Sequence, residues 1–239
     1  MKKNMGSTLL KFAGALALVL TLGSSLAEAT PILRLTTSGG GSAFVIDNGV
    51  GDSDPTVGVI RHVGPLGTGI NRWLTNITIG TSYPILGSYT HPFLDLSAIE
   101  VSNSSAGFMT IEFTNNFDFD APISLRGAFG GVSGGVISYG LFASLSSFGT
   151  SNTVWNGVVA GAAGPYGGIN PNTTFDPSTI LGWTAASDVW LTQKVVINHA
   201  KKGGENTSGF FNAQVPEPTT ILLLGAGLAG LGLLKRKSS

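Results

Sequence analysis

The chain of 239 residues contains no cysteine. That absence excludes disulfide staples, thiolate nucleophiles and cysteine-ligated metal centres, so a hydrophobic core must hold any fold together. Charge is scarce too. Charged residues make up 11% of the chain, against about 25% in an average globular protein. The polar surface therefore has to be built from Ser, Thr, Asn and Gly. There is no basic stripe, which argues against nucleic acid as a partner. Of the three histidines, His62, His91 and His199, none forms a His-x-His or His-x-x-x-His pair. Neither zinc nor a Ser-His-Asp triad is supported by that spacing. Serine abounds, and none is read as a nucleophile. Between residues 30 and 214 no long stretch of 3.6-residue periodicity occurs, which removes the helical classes.

What is present is concentrated first at the two ends. Lys2 and Lys3 give a positive start, and Phe12–Leu22 is an apolar run. Ala27 and Ala29 then place small side chains where signal peptidase cuts, so the mature chain is expected to begin at Thr30. At the other end stand Pro216-Glu217-Pro218, the uncharged run Ile221–Leu234 and the basic Lys235-Arg236-Lys237. The two prolines fix φ near −65° and push their predecessors out of the helical region, so the tripeptide is extended. As a helix the apolar run would reach about 21 Å, short of the roughly 30 Å hydrocarbon core. Thr219 and Thr220 can lengthen it and the terminal cations can snorkel. A membrane helix over about 219–234 with a basic, cytoplasmic tail at 235–237 is the expectation.

In that order and at that end, the Pro-Glu-Pro step, the short Gly-rich apolar helix and the Lys/Arg cluster resemble the PEP-CTERM sorting signal. The resemblance implies recognition and processing by an exosortase, with a transient stay in the inner membrane. It further implies a Gram-negative, exopolysaccharide-producing cell and delivery to the cell surface or extracellular matrix. It assigns no activity to the cargo.

The cargo, residues 30–214, carries more anions than cations: eleven against seven. A mildly acidic body thus lies between two basic ends. Short alternating segments separated by turn residues run through it. Leu33 and Leu35 alternate with Ile32, Arg34 and Thr36 before Ser38-Gly39-Gly40-Gly41. Ala43–Asp47 meets Asn48-Gly49, a pair suited to a type I′ hairpin. Val57–Val63, closed by Gly64-Pro65, and Trp73–Ile79 follow. In Leu94–Asn103 the parity changes midway, which predicts a bulge near Ser97-Ala98. Phe108–Thr114, Ile137–Leu145 and Val189–Ile197 are the clearest one-sided rows. Gly157–Gly168 reads as a long loop. The sum is an all-β chain, a single antiparallel β-sandwich or jelly roll over 30–200. Residues 201–214 read as a flexible linker to the sorting signal at 215–239. Leu33-Arg34-Leu35, the Gly-rich turn and Gly51-Asp52-Ser53-Asp54-Pro55 are also similar to the first hairpin of many PEP-CTERM ectodomains.

Three constellations could carry chemistry. Asp47, Asp52 and Asp54 put three carboxylates into a Gly-rich loop, the oxygen-donor type that Ca²⁺ takes, although the spacing is not that of an EF-hand. Trp73, Trp155, Trp183 and Trp190 are candidates for stacking on sugar rings. Glu100 and Glu112 are the mid-strand carboxylates, as a glycosidase would need, but alternation turns both outward, onto a solvated face. The expectation is a non-enzymatic exported surface or matrix protein associated with exopolysaccharide. A glycan-binding, lectin-like module is the alternative, and a secreted hydrolase comes third.

Overall fold

The computed structural model describes residues 30–103, 105–119, 121–169, 172–200 and 205–215. The expected signal peptide with Ala27 and Ala29 lies outside the described residues, as do Pro216–Pro218, Ile221–Leu234 and Lys235–Lys237. Among the described residues no helix is long and apolar enough to cross a membrane.

The described residues are almost entirely strand: β1 (Ile32–Thr37), β2 (Ser42–Ile46), β3 (Val59–Leu66), β4 (Trp73–Thr81), β5 (Phe93–Asn103), β6 (Gly107–Phe117), β7 (Ile123–Ser133), β8 (Val136–Ser144), β9 (Asn152–Ala160), β10 (Gly164–Ile169), β11 (Thr173–Phe175), β12 (Val189–His199) and β13 (Asn206–Gln214). Two antiparallel sheets result. The first runs β2-β1-β6-β12-β8-β9 and the second β10-β7-β13-β5-β4-β3, with β11 added against β7. All-β and sandwich-like, the architecture is the one the alternation predicts. Leu33, Leu35, Met109, Ile111, Phe113, Ile137, Tyr139, Val195 and Ile197 point inward from the first sheet. Ile77, Leu94, Leu96, Ile99 and Phe211 meet them from the second.

The predicted bulge is present. Leu94 and Leu96 are buried, Ala98 adopts φ 49°, and Ile99 and Val101 are buried again on the same side. The extra residue lets both apolar pairs face the core, and β13 shifts register opposite it, between Gly209 and Phe211.

Five expectations need correction. Residues 206–214 are no linker: β13 sits between β5 and β7, near the middle of the second sheet. It looks like a linker because only Thr207, Phe211 and Ala213 turn inward, while Asn206, Ser208 and Phe210 are exposed. Its backbone is drawn close to β7 at a glycine pair, Gly209 opposite Gly131. Gly157–Gly168 is likewise no loop, but the end of β9 and most of β10, a connection passing from the first sheet to the second. Asn48-Gly49 does not turn a hairpin. Asn48 takes φ 55° at the start of a long connection, and β2 and β3 belong to different sheets. Pro65 lies inside β3 rather than closing it, which an edge strand tolerates because one row of its donors has no ladder to serve.

The fifth correction concerns Glu112, which is 4% exposed. It does point away from the core, as alternation requires. There Arg34 of β1 and Lys194 of β12 flank it as its direct cross-strand neighbours. Arg34 Nε donates to Glu112 Oε2 at 2.6 Å, Lys194 Nζ stands 3.5 Å from Oε1, and the Phe148 ring covers the guanidinium at 4.2 Å. The outer face of this sheet is therefore partly roofed, and alternation alone does not report a roof. Glu100, by contrast, is exposed as expected.

Candidate functional site

Strand directions bring both chain exits to one end of the sandwich. Thr30 enters β1 there, beside the end of β6, and β13 leaves beside the starts of β5 and β7. The same end carries the connections 47–58, 82–92, 118–122, 145–151 and 176–188. They are tied together. Asp118 N–H donates to the Tyr89 carbonyl at 2.9 Å, and Tyr89 Oη donates to Asp188 Oδ1 at 2.6 Å. Asn116 Nδ2 donates to the other oxygen of Asp188 at 3.1 Å. Burial first, then the bond to Asp188 and the charges of Asp188 and Asp118, hold the Tyr89 phenol well above its ordinary range. Val215, the last described residue, is still fixed: its N–H donates to the Pro92 carbonyl at 3.0 Å, and its side chain packs against the core. Beside it a cleft of about 420 Å³ is lined by Leu86, His91, Pro92, Phe93 and Gln214. Pro216, the first residue of the Pro-Glu-Pro step, follows Val215 directly in the sequence.

The acidic loop lies at this end as well, and its carboxylates are engaged by the chain itself. Asp47 Oδ2 accepts from Gly58 N–H at 2.7 Å. Asp52 accepts from the amides of Asn48, Asp54 and Arg61, and Asp54 from that of Thr56. The bonds from Thr56, aided by the nearby Arg61, hold the Asp54 carboxyl below its usual range. Among the described residues no group of three or more His, Asp or Glu side chains is arranged to hold a metal ion. The aspartates act as Asx scaffolds for a long loop.

The tryptophans are not brought together as a platform. Trp73 is 1% exposed and stacks on His199, their ring centroids 5.0 Å apart. It has no face to offer a sugar. Trp155 is half-buried between the sheets against Phe129 and Tyr139. Trp183 packs against the core from the loop before β12, and Trp190 is half-buried on the outer face of the first sheet. Residue type alone suggests a stacking role, and the inward positions of Trp73 and Trp155 correct that expectation.

Sequence reasoning missed a groove across the outer face of the second sheet. Two registered rows cross β4, β5 and β13: Leu74, Ser102 and Asn206, then Asn76, Glu100 and Ser208. They line an open groove of about 400 Å³. Asn76 Nδ2 donates to Glu100 Oε2 at 3.1 Å and so orients the carboxylate along it. Three of its seven polar lining residues, Asn206, Thr207 and Ser208, lie in the stretch that reads as a linker, which hides the pattern from the sequence.

Among the described residues the remaining candidates are held by the fold itself. Gly131-Val132-Ser133-Gly134-Gly135 has the spacing of a nucleophile elbow, which the reading of the serines passed over. It forms the β7–β8 turn, however, with Ser133 3% exposed and its hydroxyl occupied by the backbone of Gly135. His199 is fully buried, its Nε2 2.9 Å from Thr207 Oγ1. Burial pushes the His199 and His62 imidazoles below their ordinary range.

The PEP-CTERM protein-sorting motif matches residues 214–237, so the chain carries that signal where the resemblance placed it. No curated protein matches the chain. Among solved structures it is similar to infectious bursal disease virus Gx strain, with 17% identity and a TM-score of 0.33 over 82% of this chain and 53% of that one. The adhesin domain of Epf from Streptococcus pyogenes shares 9% identity at a TM-score of 0.37 over 80% and 62%. The mannan-recognising carbohydrate-binding module TmCBM27 shares 14% at 0.29 over 52% and 72%. The chain spans less than two thirds of the length of the first two. Likenesses this distant transfer no function.

Proposed function

We propose that this chain is a non-enzymatic exported protein, a β-sandwich that an exosortase sorts and processes and that resides at the cell surface or in the extracellular matrix of a Gram-negative bacterium. The supporting observation is the sorting motif at residues 214–237, which starts at the last residue of β13. The signal peptide, cut by signal peptidase after Ala29, delivers the chain across the inner membrane. The C-terminal segment then holds it there until processing. Intact mass of the protein recovered from its producing cell tests this. The expected species starts at Thr30 and ends near Pro216. A full-length C-terminus would reduce the tag to a plain anchor.

A second reading rests on the groove over β4, β5 and β13, where Asn, Ser and Glu side chains and one exposed Leu face solvent together. Such a surface offers donors and acceptors at sheet spacing, suited to the hydroxyls of an extended glycan such as the cell's own exopolysaccharide. The test is a pull-down on that polysaccharide with wild type, Leu74→Ala, Glu100→Gln and Trp190→Ala. Loss of retention in the first two variants supports the groove, and loss in the third alone moves the contact to the first sheet. Equal retention by all four, or none by wild type, removes the reading.

A further inference from the structure

From the absence of a spacer we infer that whatever protein reads Pro216-Glu217-Pro218 also touches the tail-bearing end of the sandwich, and that its contacting surface there is cationic. This rests on the sorting reading above. An extended chain advances at most about 3.6 Å per residue, so two residues of any conformation reach no more than roughly 7 Å from Val215. Val215 is hydrogen-bonded to Pro92 and packed on the core. A protein that grips a tripeptide needs more room than that on every side, so its surface must run over the neighbouring connections. Those connections carry Asp47, Asp52, Asp54, Asp118, Asp176 and Asp188, and none of the stretches 47–58, 82–92, 118–122, 145–151 and 176–188 contains Lys or Arg. Arg61 and Arg126, on the adjoining strands, are the nearest cations in sequence. Among the described residues, the loop cation Arg72 stands at the opposite end, just before β4. A docked surface that matched the acidic end would gain encounter rate and orientation from complementary charge.

The test follows processing of the full-length protein in its producing cell, by pulse-chase and intact mass. Wild type is compared with Asp118→Lys and Asp54→Lys, and each is made again with twelve Gly/Ser residues inserted between Val215 and Pro216. Circular dichroism confirms that each variant folds. Without the insert, each charge reversal is expected to slow processing roughly three- to ten-fold. With the insert the motif stands clear of the sandwich, and the reversals lose their effect. Equal rates for wild type and reversals without the insert overturn the inference, as does slowing that persists unchanged through the insert. Faster processing of the reversals also overturns it, because it would mean that the acidic end is repelled from anionic lipid. A wild type that is never processed refutes the sorting reading itself, an outcome distinct from all of these.

Discussion

Replacing Glu112 by Gln removes a charge and keeps the shape, and the structure sets what that costs. The carboxylate side chain is 6% exposed, while those of Arg34 and Lys194 are 39% and 35% exposed. Breaking a fully buried pair costs about 3–5 kcal/mol, because a bare charge is stranded. Here the stranded groups would be the two cations, and both can turn toward water. The loss is then closer to that of one charge-assisted hydrogen bond, about 1.5–2.5 kcal/mol. In a domain of this size about 1 kcal/mol shifts Tm by roughly 2–4 °C, so thermal unfolding should fall by about 3–10 °C. Because the cations are partly exposed, 1 M NaCl should narrow the gap between wild type and variant. A double-mutant cycle with Arg34→Ala should return a coupling of about 1 kcal/mol. If Glu112→Gln melts within 1 °C of wild type at low and high salt, the carboxylate is solvated and the roofed outer face is wrong.

Gly131→Ala should prevent folding or cost well over 3 kcal/mol, read as loss of soluble secreted protein, because its Cβ would lie 2.0 Å from the Ser208 carbonyl at a φ of +151°. Gly80→Ala meets a ring instead, its Cβ 2.6 Å from buried Phe113, so about 1–3 kcal/mol of overpacking is expected by denaturant titration. His62 and His199 hold folded-state pKa values below the unfolded one. The unfolded chain therefore takes up their protons first as pH falls. Their contribution is intact above about pH 6.5 and is lost as pH drops below it, and His199→Gln should flatten that part of the Tm–pH curve. Calorimetric titration with Ca²⁺ should give no heat at millimolar metal, whereas Asp52→Ala, which strands three amides, should lower stability by about 1–3 kcal/mol.

Fold class and the C-terminal sorting signal were legible because each is a local signal. Alternation marks a half-buried strand, and the parity break in Leu94–Asn103 located the bulge at Ala98 before any pairing was known. What escaped was set by neighbours far away in sequence. The roof over Glu112 comes from Arg34, Phe148 and Lys194, which no window around residue 112 contains. β13 escaped for a related reason. A strand paired on both sides buries its backbone whatever its side chains are, so Asn206–Gln214 can be polar and still be central. The groove escaped with it, since Asn206 and Ser208 supply one wall.

The position of β13 bears on how the tail does its work. Any pull transmitted through Val215 acts along a strand held by β5 on one side and β7 on the other, eight and seven residues of it paired respectively. Antiparallel ladder bonds lie perpendicular to the strand, so such a pull loads them together rather than one at a time. Peeling would require an edge strand or a hairpin end, and β13 is neither. A cysteine-free body has no covalent clamp against traction from the membrane, and threading the tail from an inner strand supplies a non-covalent one. Phe211, fully buried between the sheets against Tyr139 and Tyr166, is the side chain that anchors it. Phe211→Ala should cost about 3–5 kcal/mol and, in single-molecule stretching from Val215, lower the rupture force. An unchanged force with reduced equilibrium stability would show that the resistance lies in a different strand.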